Sequence, residues 1–85
     1  MEYYINSESG VQGYELGIYT ITVFFWTGSI YTYTYSSCGV DAVETMKMLA
    51  IQGSGLNTFI NQNKPGYESK YMPPKVVRTS SFYGV

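Results

Sequence analysis

The sequence predicts a small α+β domain, a three-stranded antiparallel meander with two short helices on one face and a C-terminal tail or extra strand. Three observations support this fold class. The chain has 85 residues, which is enough for one domain with a thin core. Residues 18–35 are rich in β-branched and aromatic side chains, with a glycine turn between two runs. The following segment changes to a helical spacing of apolar residues.

The strands are predicted from three runs that are separated by glycine. Residues 11–16 form a short strand candidate that Gly17 ends. Residues 18–26 form the strongest strand in the chain, because they lack Pro and internal Gly. Thr27-Gly28-Ser29 is a turn in which Gly28 supplies a positive φ, and residues 30–35 form the returning strand. The first ten residues are polar and are expected to be loosely ordered.

A helix is predicted from Asp41 to about Gln52. Asp41 is the expected N-cap, Glu44 is its capping-box partner, and Gly53 ends the helix. The apolar arc of this helix comprises Ala42, Val43, Met46, Leu49 and Ala50.

A second short helix follows, with Ser54 as its cap. Leu56, Phe59 and Ile60 lie on one face of this helix, and residues 63–66 close it. Residues 1–67 are therefore expected to form a single β-β-β-α-α domain. Residues 68–85 are expected to be a tail, with a late strand or a docked segment built from Val76, Val77, Phe82 and Tyr83.

The register of the aromatic hairpin decides which face its tyrosines take. A two-residue turn would place Tyr31, Tyr33 and Tyr35 with Phe24 and Trp26. A three-residue turn pairs Trp26 with Ile30 and Phe25 with Tyr31. We favour the three-residue turn, because it places the tyrosines with the large residues that the helices cover.

The opposite face of the hairpin then carries an apolar cluster of Phe24, Trp26 and Ile30. The rest of this face is threonine-rich, which is typical of a solvated sheet surface. An exposed apolar cluster indicates an interface, including one with a second copy of the chain. Two alternatives stay open: the C-terminal segment folds back over the cluster, or the cluster is simply exposed.

Charge and composition exclude several classes of protein. The formal net charge is −1, which gives no global electrostatic case for a nucleic acid or a membrane partner. The chain holds five acids and no base in residues 1–46, but five bases and one acid in residues 47–85. No apolar run is long enough for a spanning helix, and the N-terminus lacks the pattern of a signal peptide, so a cytoplasmic location is expected.

No constellation of residues indicates catalysis. The chain has no histidine, which removes the commonest general base and the commonest metal ligand. Cys38 has no histidine partner and is expected to be an ordinary thiol. We therefore expect no catalytic residues, no metal site, no cofactor and no small-molecule substrate.

The ordered set of motifs resembles the KTSC domain, a module found at the C-terminus of some lysyl-tRNA synthetases and as a stand-alone bacterial or phage protein. Its central Tyr-x-Tyr is matched by Tyr31-Thr32-Tyr33, and its Gly-Tyr-Asp resembles Gly13-Tyr14-Glu15. Its Gly-x-x-Phe-Asn-x-x-Ile is similar to residues 53–60, with Tyr67 as a trailing tyrosine. The function of that family is itself open. The synthetase association implies RNA binding as an expectation.

Two functional hypotheses follow. The first is a non-enzymatic interaction module that self-associates or binds protein through Phe24, Trp26 and Ile30. The second is a single-stranded RNA- or DNA-binding module that uses the tyrosines for stacking. Its cationic residues would be Lys64, Lys70, Lys75 and Arg78.

Overall fold

A computed structural model describes residues 1–6 and 9–74 and confirms an α+β fold. The described residues contain five strands and three short helices, so the prediction of a three-stranded sheet was incomplete. In chain order the elements are β1 (Glu2–Tyr3), β2 (Val11–Leu16), β3 (Thr20–Phe25), β4 (Ile30–Thr34), α1 (Tyr35–Cys38), α2 (Val40–Gln52), α3 (Leu56–Asn63) and β5 (Ser69–Tyr71).

The sheet is antiparallel throughout and its strands lie in the order β1-β2-β3-β4-β5. Strand β2 spans the residues that the sequence predicted. The two additional strands are the edges of the sheet, and they have two and three residues. Such short strands carry no alternation of their own, and their pairing with β2 and β4 defines them.

The register of the β3–β4 hairpin confirms the predicted face of the tyrosines, although the turn lies one residue earlier than predicted. The backbone N–H of Phe25 donates to the Ser29 carbonyl at 2.9 Å, so the three-residue loop is Trp26-Thr27-Gly28. Phe24 therefore pairs with Ile30, and Trp26 does not. Compared with the prediction, the residue of β4 that lies opposite each residue of β3 changes by two positions. A shift of two leaves every side chain on its predicted face. Gly28 has the expected positive φ of 94°.

The helix starts differ from the prediction. Tyr35 leaves the returning strand and begins α1, where Thr34 and Ser37 form a reciprocal capping box. Because α2 follows directly through Gly39, Asp41 lies in its first turn and is not the N-cap. Glu44 consequently has no capping role.

Glycine residues lie at the C-terminus of α2 and at the N-terminus of α3. Gly53 ends α2 in the left-handed conformation, as predicted, with φ 83°. The N-cap of α3 is Gly55 and not Ser54, and no side chain caps this helix. Lys64 ends α3 with φ 45°, which is unusual for a residue with a side chain.

The helices pack on one face of the sheet and form the core with it. Ile21, Val23 and Tyr33 on this face are almost completely buried, and Val43 and Met46 of α2 cover them. Every residue of the predicted apolar arc of α2 belongs to the core or packs against it. Among the described residues, no helix combines the length and apolar content that a membrane crossing requires.

Candidate functional site

The sheet face that points away from the helices carries an apolar row that crosses all five strands. The pairing places Tyr3 opposite Gly13, Gly13 opposite Phe24, Phe24 opposite Ile30, and Ile30 opposite Tyr71. Directly paired residues project on the same side of a sheet. We call this surface the open face, because no described helix packs on it.

The large side chains of the open face are accessible. Tyr3 is 69% exposed and Tyr71 is 53% exposed, whereas Phe24 and Ile30 in the middle of the row are half-buried. Trp26 is 58% exposed, and its backbone N–H donates to the Gly10 carbonyl at 3.1 Å. The predicted interface residues Phe24 and Ile30 are therefore a cross-strand pair, with Trp26 just beyond the end of β3.

The rest of the open face is polar but nearly uncharged. Thr22 and Thr32 approach each other across the strands with a hydroxyl–hydroxyl distance of 3.3 Å. Glu15 pairs with Thr22, and its carboxylate lies 3.4 Å from the N-terminal amine of Met1. The threonine-rich character of this face was predicted. Thr34 is the exception to that prediction, because it caps α1 and is buried there.

A cleft lies on the helix-bearing face, where α3 and the chain after it diverge from β4. Its volume is about 380 Å³. We call it the aromatic cleft, because the rings of Phe25, Tyr31, Tyr33 and Tyr67 line it. Its remaining lining includes Ile60, Asn61 and Lys64.

Tyr31 is the centre of the aromatic contacts in this cleft. Its ring stacks on Tyr33 with centroids 6.1 Å apart and an interplanar angle of 14°. Phe25 and Tyr67 meet it edge to face, at 5.5 and 5.1 Å. Such edge-to-face pairs are favourable and fix the ring orientations. The prediction that the tyrosines pack under the helices therefore holds for Tyr33, whereas Tyr31 faces a cleft.

The Tyr33 hydroxyl is unusual for a buried polar group. Tyr33 is only 2% exposed, and no described residue hydrogen-bonds its hydroxyl. Burial, together with the nearby Tyr31, raises the pKa of Tyr33 to about 12. The hydroxyl therefore stays protonated at neutral pH and is a hydrogen-bond donor on a residue that lines the cleft.

Two lysines add positive charge to the aromatic cleft. Lys64 lines it, and the Lys70 ammonium lies 5.6 Å from the Tyr31 centroid and 5.5 Å from the Tyr67 centroid. Within residues 1–6 and 9–74, neither lysine lies within salt-bridge distance of a carboxylate. The structure thus brings two of the four predicted nucleic-acid-binding cations beside tyrosines. Lys75 and Arg78 lie outside the described residues, as does the predicted late strand.

A third cluster, formed by the first residue of α1 and two residues of α2, is internally paired. The Tyr35 hydroxyl donates to Glu44, and the Lys47 ammonium lies 3.1 Å from the same carboxylate. The hydrogen bond from Tyr35, assisted by Lys47, lowers the pKa of Glu44. Lys47 also lies 5.9 Å from the Tyr35 centroid. Glu44 therefore neutralises Lys47, whereas Lys70 has no carboxylate partner in the described part of the chain.

The sequence reasoning missed the aromatic cleft. Lys64 and Tyr67 lie at the end of α3 and just after it, some thirty residues beyond β4 in the chain, and the tertiary fold brings Tyr67 against Tyr31. The spacing of Tyr67 and Lys70 was the signal in the sequence that could have indicated the cleft. Neither residue belongs to a periodic run, so the pattern did not predict where they lie.

Comparison with known protein families, with curated proteins and with solved structures found no match. The resemblance to the KTSC domain therefore stays a prediction from the motifs alone.

Proposed function

We propose that the protein is a non-enzymatic interaction module that pairs with a second copy of itself through the open face. The carrying observation is the apolar row from Tyr3 through Phe24 and Ile30 to Tyr71, which no helix of the described part of the chain covers. Monomeric proteins seldom expose a contiguous apolar surface of this kind, and such surfaces usually mark interfaces. Another protein with a flat apolar surface is the alternative occupant.

The charge distribution favours a second copy. When two identical surfaces meet about a two-fold axis, a charged group that lies near the axis approaches its own copy. The Glu15 carboxylate and the Met1 amine compensate each other at one end of the open face. The apolar row itself contains no ionisable group that is charged at neutral pH, so two copies meet without like-charge repulsion.

The size of the open face sets the expected strength. Five strands of two to six residues, spaced about 4.8 Å apart with about 3.3 Å per residue, give a flat area of at most about 20 by 20 Å. Two such surfaces together bury less area than a standard stable interface of about 1,600 Å². We therefore expect a dimer that dissociates on dilution.

Sedimentation velocity over a concentration series tests this proposal. Phe24→Lys places a charge at the centre of the apolar row and is expected to yield a monomer at every concentration. Ile51→Lys is the matched control, because Ile51 is 62% exposed on α2 and lies away from the open face. A wild-type protein that stays monomeric at millimolar concentration would refute self-association, and binding of a different protein that Phe24→Lys abolishes would identify the alternative occupant.

Single-stranded nucleic acid is a second candidate, favoured by one observation. Lys64 and Lys70 lie beside Tyr31 and Tyr67, which combines cations with stacking surfaces as such binders do. Against it, the net charge is −1, so the electrostatic contribution is small. If the protein binds single strands, it should bind a random oligonucleotide in a salt-sensitive way, and Lys70→Gln should weaken this binding. Absence of binding at low salt would reject it.

A further inference from the structure

We propose that the aromatic cleft binds a small ligand that combines a planar aromatic ring with an anionic group. This inference does not rest on self-association, because the aromatic cleft and the open face lie on opposite sides of the sheet. Three properties carry it: the ring-lined shape, the hydroxyl of Tyr33, and the charge of Lys64 and Lys70, which have no polar or acidic partner within residues 1–6 and 9–74.

The shape suits a small molecule. A volume of about 380 Å³ falls within the range of about 300–1,000 Å³ that is usual for ligand pockets. Phe25, Tyr31 and Tyr67 present rings to this space, and Ile60 adds an aliphatic wall. A flat aromatic ring can contact such walls with its face or its edge, and each ring–ring contact is favourable by about 0.5–1.5 kcal/mol beyond burial.

The Tyr33 hydroxyl defines a polar contact within this apolar surface. A buried hydroxyl without a partner costs free energy, and such groups are rare in folded proteins. Tyr33 is almost completely buried, no described residue hydrogen-bonds its hydroxyl, and Tyr33 is among the residues that line the cleft. A ligand oxygen or ring nitrogen that accepts its hydrogen bond would remove this cost. The amide of Asn61, which also lines the cleft, can donate or accept.

The charge of the site selects an anion. Lys64 lines the cleft, no carboxylate is among the lining residues, and Lys70 lies on the rings of Tyr31 and Tyr67. In the paired cluster Glu44 compensates Lys47, whereas Lys64 and Lys70 have no such partner among the described residues. A phosphate or carboxylate on the ligand supplies the missing counter-charge, and a cationic ligand is disfavoured.

A free nucleotide and a nucleotide within a single strand present this same chemistry. Adenosine 5′-monophosphate, adenosine, inorganic phosphate and a short oligoadenylate are therefore the probes, each titrated into the isotopically labelled full chain. We expect the monophosphate to shift the amide signals of Phe25, Tyr31 and Tyr67. Adenosine and phosphate alone should each bind about tenfold more weakly, because each lacks one half of the recognised group. Equal affinity for the monophosphate and the oligoadenylate indicates a free ligand, and a salt-sensitive gain for the oligoadenylate indicates a strand.

Two variants assign the binding to this cleft. Lys64→Asn removes the charge while keeping a residue that tolerates the left-handed conformation, and it should weaken the monophosphate about tenfold. Lys70→Gln should weaken it as well, whereas Lys47→Gln, which removes a lysine from above a tyrosine ring elsewhere, should not. The proposal is overturned if no probe shifts the cleft signals. It is also overturned if phosphate alone binds as well as the monophosphate, or if Lys47→Gln and Lys64→Asn weaken binding equally.

Discussion

The two faces of the sheet are built by the same hairpin and have opposite character. Phe24 and Ile30 project to the open face, and their neighbours Phe25 and Tyr31 project to the aromatic cleft. The open face is broad and almost uncharged. The cleft is concave, and neither the Tyr33 hydroxyl nor the two lysines at the cleft have a polar or acidic partner among the described residues. Strand alternation has thus produced two surfaces with different chemistry from consecutive residues.

The two proposals together assign two kinds of binding to opposite faces of β4. A flat neutral surface is complementary to another flat neutral surface, so it suits a second copy. A concave surface with fixed donors excludes a flat partner and suits a small anionic molecule. The contrast between the two surfaces would be lost if one of them served only to hold the other in its folded shape.

The largest effect is expected from a change that removes the shared support. Ile21 is fully buried in β3 beneath the helices, so Ile21→Ala leaves a cavity in the core that supports both surfaces. We expect the free energy of unfolding to fall by about 2–5 kcal/mol, measured by urea denaturation. Ile18→Ala is the control, because Ile18 is 78% exposed and should change stability by less than about 0.5 kcal/mol. Equal losses in the two variants would contradict the described core.

A smaller effect is expected at the turn that sets the register of both faces. Gly28 has a φ of 94°, and a Cβ there would lie 3.1 Å from the Pro73 side chain. Gly28→Ala should therefore cost about 1–2 kcal/mol of unfolding free energy, and Gly28→Asn should cost less, because Asn tolerates positive φ. Thermal unfolding of the two variants measures this order. The reverse order would place the turn elsewhere.

The smallest effect, confined to high pH, concerns the cleft alone. Folding raises the pKa of Tyr33 from 10.0 to about 12, so the folded state keeps a proton that an unfolded tyrosine has lost. The resulting contribution to stability is complete below pH 10 and is lost as the pH rises from about 10 to about 12. Melting temperatures across this range should fall more steeply for the wild type than for Tyr33→Phe. Parallel curves would show that the hydroxyl is not buried.

The sequence was sufficient for those parts of the fold that local pattern determines. Strand β2, the face of Tyr31 and Tyr33, and the end of α2 at Gly53 follow from alternation and from glycine geometry. Strand β5 could not be predicted, because three residues carry no period and their order comes from pairing with β4. The Asp41 cap was wrong, because α1 precedes α2 and brings the chain in through Gly39.

The candidate sites follow the same division. The open face could be predicted from the alternation of side chains along each strand, since Phe24 and Ile30 lie on neighbouring strands joined by a short turn. The aromatic cleft could not, because it needs Lys64 and Tyr67 to meet Tyr31 across a long stretch of chain. Only the tertiary arrangement of α3 and β5 brings these residues together.

Amide NMR spectra recorded over a dilution series test the central claim most directly. If the protein self-associates through the open face, the signals of Tyr3, Phe24, Ile30 and Tyr71 move together with concentration. The signals of Tyr31 and Tyr67 should change little or not at all. Spectra that are independent of concentration, or shifts that centre on α2 and α3, would contradict the assignment of the open face as the self-association surface.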